Sequence, residues 1–291
     1  MRVLVTGAAG LVGSAVSRLL ADSGYGVVGT YRRHPSGPVP GEAAILDILS
    51  GGHQGLVSLG TFDAVVHCAA ALPSSLVGPE AERVAGYNME IDRLIAAFAG
   101  ATGADVVFAS SSSVYREQGG GESTALDDGN PYSLSKIAGE KVMEEAAERA
   151  VSLRICAPYG VGQRSRTVLR IFIEKALAGH PLQYHGSGRR SQAFVHASDV
   201  AAAVEAALRL PVSGPFNIAG SRCVPMKELA HLVVDSIPGC ASVVEPSGKE
   251  DPQENYRGCF DISRAARLLG WAPEVTLESG IVEMAEAIRQ G

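Results

Sequence analysis

The chain has 291 residues, of which 46% fall in the hydrophobic set and 19% are charged, with a formal net charge of −6 from 25 Lys+Arg against 31 Asp+Glu. This length suits one large domain or two smaller ones, and the apolar share excludes an intrinsically disordered chain. A net negative surface repels a phosphate backbone, so no nucleic-acid partner is expected, and no apolar run approaches the roughly 18 residues needed to span a membrane.

From the first residues onward the chain reads as structure. Met1–Gly7 enters a strand at once and is too short an apolar stretch for a signal peptide. The five cysteines (Cys68, Cys156, Cys223, Cys240 and Cys259) are scattered, with no CxxC or Cys/His spacing. Reduced thiols in a cytoplasm are therefore expected, with no disulfide frame and no metal site. Strands are predicted at Arg2–Thr6, Gly26–Thr30, Ala43–Leu46, Ala64–His67, Asp105–Ala109 and Val151–Ile155. They are near-continuous apolar runs, as parallel strands covered on both faces should be. Helical patterns lie between them, notably over Leu11–Asp22, Ala81–Ala99 and Pro131–Ala150. This alternation specifies an α/β fold with a doubly wound parallel (Rossmann) sheet. After Tyr159 the rhythm changes: helices are predicted over Thr167–Ala178, from Pro225, and over Ile262–Leu269 and Leu277–Arg289, with Phe194–His196 as a return to the sheet. The expected organisation is a dinucleotide-binding domain over 1–160 with a return segment at about 194–218, and a small discontinuous C-terminal substrate lobe from 161–193 and 219–291.

The first strand runs into Gly7-Ala8-Ala9-Gly10-Leu11-Val12-Gly13. Gly7 permits the tight turn, Gly10 lets the backbone approach a pyrophosphate, and Gly13 lets the helix pack closely. Leu11 and Val12 carry the first helical amides, which face the phosphates. The end of the second strand, Tyr31-Arg32-Arg33, has no carboxylate to accept from both ribose hydroxyls. Two guanidiniums there suit a 2′-phosphate, so NADP is the expected cofactor and NAD the alternative. Asp47 and Ile48, past the third strand, are candidates for the adenine edge, with a helix cap as the other reading of Asp47.

Tyr132 and Lys136 form a Tyr-x-x-x-Lys pair one helical turn apart, behind Asn130 as N-cap and Pro131 as first helical residue. An ammonium so placed can hold a ribose hydroxyl and ease proton transfer by the phenol while hydride moves to or from a nicotinamide. Ser110, Ser111, Ser112 and Ser113 end the fifth strand, where a hydroxyl can orient a substrate oxygen.

Taken together these residues resemble the extended short-chain dehydrogenase/reductase family, the NAD(P)-dependent epimerase/dehydratase group. The likeness is carried by Gly7/Gly10/Gly13, Asp47-Ile48, His67-Cys68-Ala69-Ala70, Asn88, Ser110–Tyr115, Tyr132/Lys136, Leu153-Arg154, Tyr159-Gly160 and Asp261 through Trp271. It implies Tyr132 as acid/base, Lys136 on the nicotinamide ribose, Ser111 as the substrate-orienting hydroxyl and Cys68, Ala69, Ala70 and Ser110 beside the cofactor. It also implies a homodimer packed through the Ala81–Ala99 and Pro131–Ala150 helices. Asn88, Ser112, Ser113, Arg164, Arg189 and Gln192 are the candidates for substrate contact.

Departures from the family pattern narrow the chemistry. Ser112 and Ser113 stand where sugar dehydratases carry two carboxyls, and Ser113 where double epimerases carry cysteine. Ala157, Gln192 and Glu250-Asp251 replace groups that hold a diphosphate in nucleotide-sugar members, with Arg164, Arg189, Arg190 and Arg257 as neighbouring substitutes. The expected function is an NADP(H)-dependent oxidoreductase acting on a sugar-like ketone or carbinol, such as a 4-keto-deoxysugar. A sugar epimerase with retained NAD(H) is the alternative, and a non-enzymatic dinucleotide sensor is a third reading that has no need of Tyr132, Lys136 and Ser111.

Overall fold

A computed structural model describes residues 1–35, 37–115, 119–126 and 129–290. Strands β1 (Arg2–Thr6), β2 (Gly26–Tyr31), β3 (Glu42–Ile45), β4 (Ala64–His67), β5 (Asp105–Ser111) and β6 (Ala150–Ile155) join the strand Gly214–Ile218 in one seven-stranded sheet. Its order is Gly214–Ile218, β6, β5, β4, β1, β2, β3, and every neighbouring pair is parallel. Register is fixed by burial: Leu4 pairs with Val28 and Val65 on one face, while Val3 and Val5 point to the other.

Each face has its own core. Helices α2 (Ile48–Val57), α3 (Pro79–Thr102) and α4 (Pro131–Ala146) cover one side through Leu56, Ile91, Ile95, Phe98 and Met143. On the other side, α1 (Leu11–Asp22) and α6 (Ala197–Arg209) pack Val16, Leu20, Val200 and Val204 against Val107, Leu153 and Phe216. Trp271 closes the far edge of that core, and its indole N–H donates to the Asp199 carbonyl at 2.8 Å. A third apolar cluster joins α5 (Val168–Leu177), α7 (Met226–Ser236) and α9 (Leu277–Gln290) through Phe172, Ile173, Leu229, Val233 and Ile281, away from the sheet. The short α8 (Ser263–Leu269) leans on the Gly214–Ile218 strand, and the left-handed Gly270 ends it.

The structure corrects several expectations. Val195–His196 does not rejoin the sheet but pairs with Pro158–Tyr159 in a two-stranded ribbon; Gly214–Ile218 is the returning strand. Helix α4 ends at Ala146, because Ala150 already belongs to β6. The third strand is a largely exposed edge rather than a strand covered on both faces. Finally, Cys223 and Cys259 form a disulfide, so the thiols are not all reduced as expected; Cys68, Cys156 and Cys240 remain free. Val224–Pro225 and Arg257–Gly258 flank Ser191–Gln192 in one small sheet, which brings two cysteines 36 residues apart to a Cα separation of 5.3 Å.

Candidate active site

Strand order reverses between β1 and β4, so the loops leaving their C-terminal ends turn to opposite faces and open a crevice. The glycine turn floors it. Gly7 has φ +68, and a Cβ there would lie 2.8 Å from the Ala69 backbone; a Cβ on Gly13 would run into the Gly7 carbonyl. Neither clash can be relieved by a side-chain rotation, so both positions require glycine. Gly10 is the N-cap of α1 and supplies no side-chain acceptor, leaving the first amides of the helix open to an anion. Thr6 Oγ1 accepts from Ala69 N at 3.2 Å and hydrogen-bonds His67 Nδ1 at 2.6 Å, while His67 Nε2 meets Asp92 Oδ1 at 2.9 Å. This buried chain ties the glycine turn to the loop after β4. The cradle fits the pyrophosphate of a dinucleotide.

Two cavities meet at this turn. The smaller, about 300 Å³, is lined by Gly7, Gly10, Tyr31, Arg32, Ile48, Cys68, Ala69 and Ala70, as an adenosine site would be. Arg33 is exposed and does not line it. Asp47 spends its Oδ1 on the amides of Leu49 and Ser50 as the N-cap of α2, so Ile48 alone of that pair reaches the cavity. The larger cavity, about 610 Å³, runs from Gly10, Leu11, Val12 and Gly13 past Cys68 and Ala70 to Ser110–Ser113, Tyr132, Lys136 and Gln192. Sequence and space agree here.

The tyrosine–lysine pair is held from both ends. Asn130 Oδ1 accepts from Ser133 N at 2.9 Å, and Ser133 Oγ donates to the Ser113 carbonyl at 2.5 Å, pinning the start of α4 to the serine run. Lys136 is buried, with Nζ donating to the Ala109 carbonyl at 2.9 Å and standing 4.6 Å over the Phe108 ring. Ser111 Oγ accepts from Ser113 N at 3.1 Å, which fixes its lone pairs and leaves its proton to point elsewhere. Burial pushes the Cys68 thiol up to about 12, with Lys136 opposing in part, so it stays protonated. Cys156 is likewise pushed up to about 12 by burial, against hydrogen bonds that include Ser112. Raised this far by burial, both thiols are protonated near neutral pH.

Three of the substrate candidates do not line the larger cavity. Asn88 clamps Ala71, accepting from its N–H at 2.8 Å and donating to its carbonyl at 3.0 Å, so it shapes the loop after β4. Arg189 is an exposed side chain paired with Glu254. Arg164 lines the smaller cavity and not the larger one.

Sequence reasoning missed a buried polar network behind the serines. Ser110 Oγ donates to Glu140 Oε1 at 2.5 Å, and Glu140 forms a two-point pair with Arg154 (2.9 and 2.7 Å). Arg154 Nη1 donates to Tyr115 Oη at 2.8 Å, and that hydroxyl donates to Asn217 Oδ1 at 2.7 Å. Burial alone would lower the Arg154 pKa, but the hydrogen bonds and charge of Glu140, then Tyr115, raise it. Burial also raises the Tyr115 phenol, against its bonds to Arg154 and Asn217. The legible signal was Arg154 itself, a cation inside an apolar strand that must find a partner. Gln163, Phe194 and Tyr256 also line the larger cavity without having been singled out.

Against known proteins, residues 3–219 match the model of the NAD dependent epimerase/dehydratase family. The chain is 29% identical to an uncharacterized UDP-glucose epimerase, YtcB, of Bacillus subtilis (strain 168), over 97% of this chain and 96% of the relative. It is 31% identical to an Escherichia coli dTDP-4-dehydro-6-deoxyglucose reductase over 54% of this chain and 52% of the relative. Among solved structures, the UDP-glucose 4-epimerase of Thermotoga maritima with UDP-glucose superposes with a TM-score of 0.87 at 25% identity, covering 100% of this chain and 99% of the other. MoeE5 in complex with UDP-glucuronic acid and NAD gives 0.85 at 26% identity, with the same coverage. With the glycine cradle, the Tyr132–Lys136 pair and the switch-point crevice already in place, the match over most of the chain settles its kinship: it belongs to the NAD dependent epimerase/dehydratase family, the extended type of short-chain dehydrogenase/reductase enzymes.

Proposed function

We propose that this enzyme is an NADP(H)-dependent oxidoreductase that moves hydride to or from a sugar-like ketone or carbinol, a 4-keto-deoxysugar being the model case. The observation that carries the reading is that Ser111, Tyr132 and Lys136 line the same cavity as the Gly10–Gly13 end of the cofactor cradle. A nicotinamide bound there supplies the hydride acceptor or donor. Tyr132 gives its phenolic proton to the carbonyl oxygen in reduction and takes it back in oxidation, so each ketone consumes one hydride and one proton. Lys136 holds the nicotinamide ribose, and Ser111 directs its proton to the same substrate oxygen. Arg32, at the rim of the adenosine cavity, reads the 2′-phosphate.

Cofactor binding is assigned to residues 1–160 with the return segment at about 194–218, and the substrate lobe to 161–193 and 219–291. Dimerisation through the outer faces of α3 and α4, which pack side by side, is part of the proposal and is read by analytical ultracentrifugation. A second reading, a sugar epimerase that retains NAD, is favoured by the NAD complex of MoeE5. The two are separated by releasing the cofactor from purified protein and identifying it by mass spectrometry, then following nicotinamide absorbance with ketone and carbinol substrates. Stoichiometric cofactor oxidation supports net reduction; tightly retained NAD with no net change in absorbance supports epimerisation. Among the described residues no helix is long and apolar enough to cross a membrane.

A further inference from the structure

We infer that the Cys223–Cys259 bridge is a thiol-exchange site: a dithiol reductant opens it and loosens one wall of the larger cavity, a small disulfide compound closes it again, and the cofactor cradle is left untouched. The inference goes beyond the hydride-transfer reading and stands without it. The bridge lies on the small sheet that builds this wall. Ser191–Gln192 is the middle strand, with Val224–Pro225 antiparallel on one side and Arg257–Gly258 parallel on the other. Val224 and Gly258 both pair with Gln192, so the residue beyond each, Cys223 and Cys259, falls level with Ala193. The flanking strands are joined there across the middle one. Arg190, Gln192, Phe194 and Tyr256, all on or beside these strands, line the larger cavity and not the smaller.

The sheet is slight without its cross-link. Each ladder is two residues long, below the size that is stable by itself. The Tyr256 side is held to the middle strand by Ser191 N–H on the Tyr256 carbonyl at 3.1 Å and Ala193 N–H on the Gly258 carbonyl at 3.0 Å, with Arg190 reaching Asp251 and Gln253 at 3.3 and 2.9 Å. Two further sets of contacts lead from the bridge toward the serine run. Ala193 packs with Cys156, whose thiol is hydrogen-bonded with Ser112, the Ala193 backbone and Gln192. On the other side, Gly119 lies so close to the Cys259 carbonyl that a Cβ would overlap it; its N–H donates to the Arg257 carbonyl at 2.9 Å, and Asp261 N–H donates to the Gly120 carbonyl at 3.2 Å. These glycines belong to the connection from Ser110–Ser113 to α4.

Cys259 is exposed and Cys223 half-buried, so a reductant in solution reaches the bridge, whereas the free Cys156 is buried. A thiolate of the dithiol attacks the Cys259 sulfur, the S–S bond breaks, and Cys223 leaves as a thiolate that takes up a proton. The second thiol of the reductant then attacks its own sulfur in the mixed disulfide. Cys259 leaves and takes the second proton, and the reductant departs as its own disulfide, so two electrons and two protons have passed to the protein. Exchange with a small disulfide compound runs the same steps backward. With the bridge open, the strand that carries Tyr256 parts more readily from Ser191–Gln192, and the cavity loses a fixed wall while the Gly7–Gly13 turn keeps its own supports.

The test is hydrogen–deuterium exchange of the purified protein, oxidised and after native treatment with dithiothreitol, at labelling times of seconds to minutes, when exchange reports local opening. Alkylation and mass spectrometry count the open bridges in each sample. Exchange over residues 190–194 and 254–259 should be about tenfold faster in the reduced protein, with β1 and β5 unchanged. The variant Cys223→Ser/Cys259→Ser should exchange at the fast rate under both conditions. With a 4-keto-deoxysugar and NADPH, reduction should raise KM for the ketone about fivefold or more and leave KM for NADPH unmoved. Equal exchange in the two states, a bridge that native dithiothreitol leaves intact, or an unchanged KM for the ketone overturns the inference. A rise in exchange spread evenly to β1 and β5 also overturns it, since the bridge would then be a general brace. Lack of turnover with the ketone counts against the hydride-transfer reading alone, because exchange is measured without turnover and decides the inference by itself.

Discussion

Removing the Glu140 carboxylate tests the buried network directly. Arg154 is 4% exposed and Glu140 13%, and they are joined by two short hydrogen bonds. Glu140→Ala leaves the guanidinium with the Tyr115 hydroxyl and the Glu122 carbonyl but no counter-charge. Leaving one partner of a buried pair uncompensated costs about 3–5 kcal/mol, a large share of a total stability of about 5–15 kcal/mol. Glu140→Gln keeps the shape and one acceptor and should cost less, about 1.5–3 kcal/mol, the worth of a charged hydrogen bond. Urea unfolding gives both values. The double variant Glu140→Leu/Arg154→Met should be less destabilised than the sum of its singles, since it removes the stranded charge. Because Glu140 lies one turn beyond Lys136 and also holds Ser110, the Gln variant should lose turnover in excess of its loss of cofactor affinity. A cost under about 1 kcal/mol for Glu140→Ala, or strict additivity in the cycle, would refute the reasoning that the buried Arg154 charge depends on Glu140.

Tyr132→Phe should lower kcat by roughly 10²–10⁴ while leaving cofactor affinity nearly intact, as steady-state kinetics and calorimetry would show. Arg32→Ala should weaken NADP binding about ten- to a hundredfold relative to NAD, the loss expected for one charged hydrogen bond; an equal loss for both cofactors would remove Arg32 from 2′-phosphate recognition. Native protein at pH 8 should resist iodoacetamide at Cys68 and Cys156, since both thiols are pushed up to about 12 by burial; prompt alkylation read by mass spectrometry would contradict this. Cys259→Ser opens a cross-link spanning 36 residues, for which chain entropy gives a loss of roughly 4 kcal/mol. Dithiothreitol should lower the stability of the wild type and leave that variant unchanged.

What could be read from the sequence was what depends on neighbours along the chain. The glycine turn, the Asn130-Pro131 helix start and the Tyr132–Lys136 spacing are local and were legible. The strand Gly214–Ile218 was not, because Gly214, Pro215 and Asn217 are poor strand formers; it is tolerated because this is the edge of the sheet, where Pro215 has no ladder donor to lose. Helix α2 was hidden by Gly51, Gly52 and Gly55, the second of which breaks it with φ +57. The disulfide depends on two strands meeting across Ser191–Gln192, a pairing no spacing rule reveals. Arg164 and Arg189 are close in sequence to the substrate wall, yet one belongs to the other cavity and the other to solvent, since direction is set by tertiary packing.

The open amides at the start of α1 have a consequence for how the enzyme persists in a cell. With Gly10 as its cap, that helix end is completed from outside the chain, so the protein holding its dinucleotide is the more stable form by RT ln(1 + [L]/Kd), about 2.7 kcal/mol when the ligand stands at a hundred times its dissociation constant. Proteolytic turnover should therefore rise when the nicotinamide pool is depleted, and abundance would follow metabolic state with no change in synthesis.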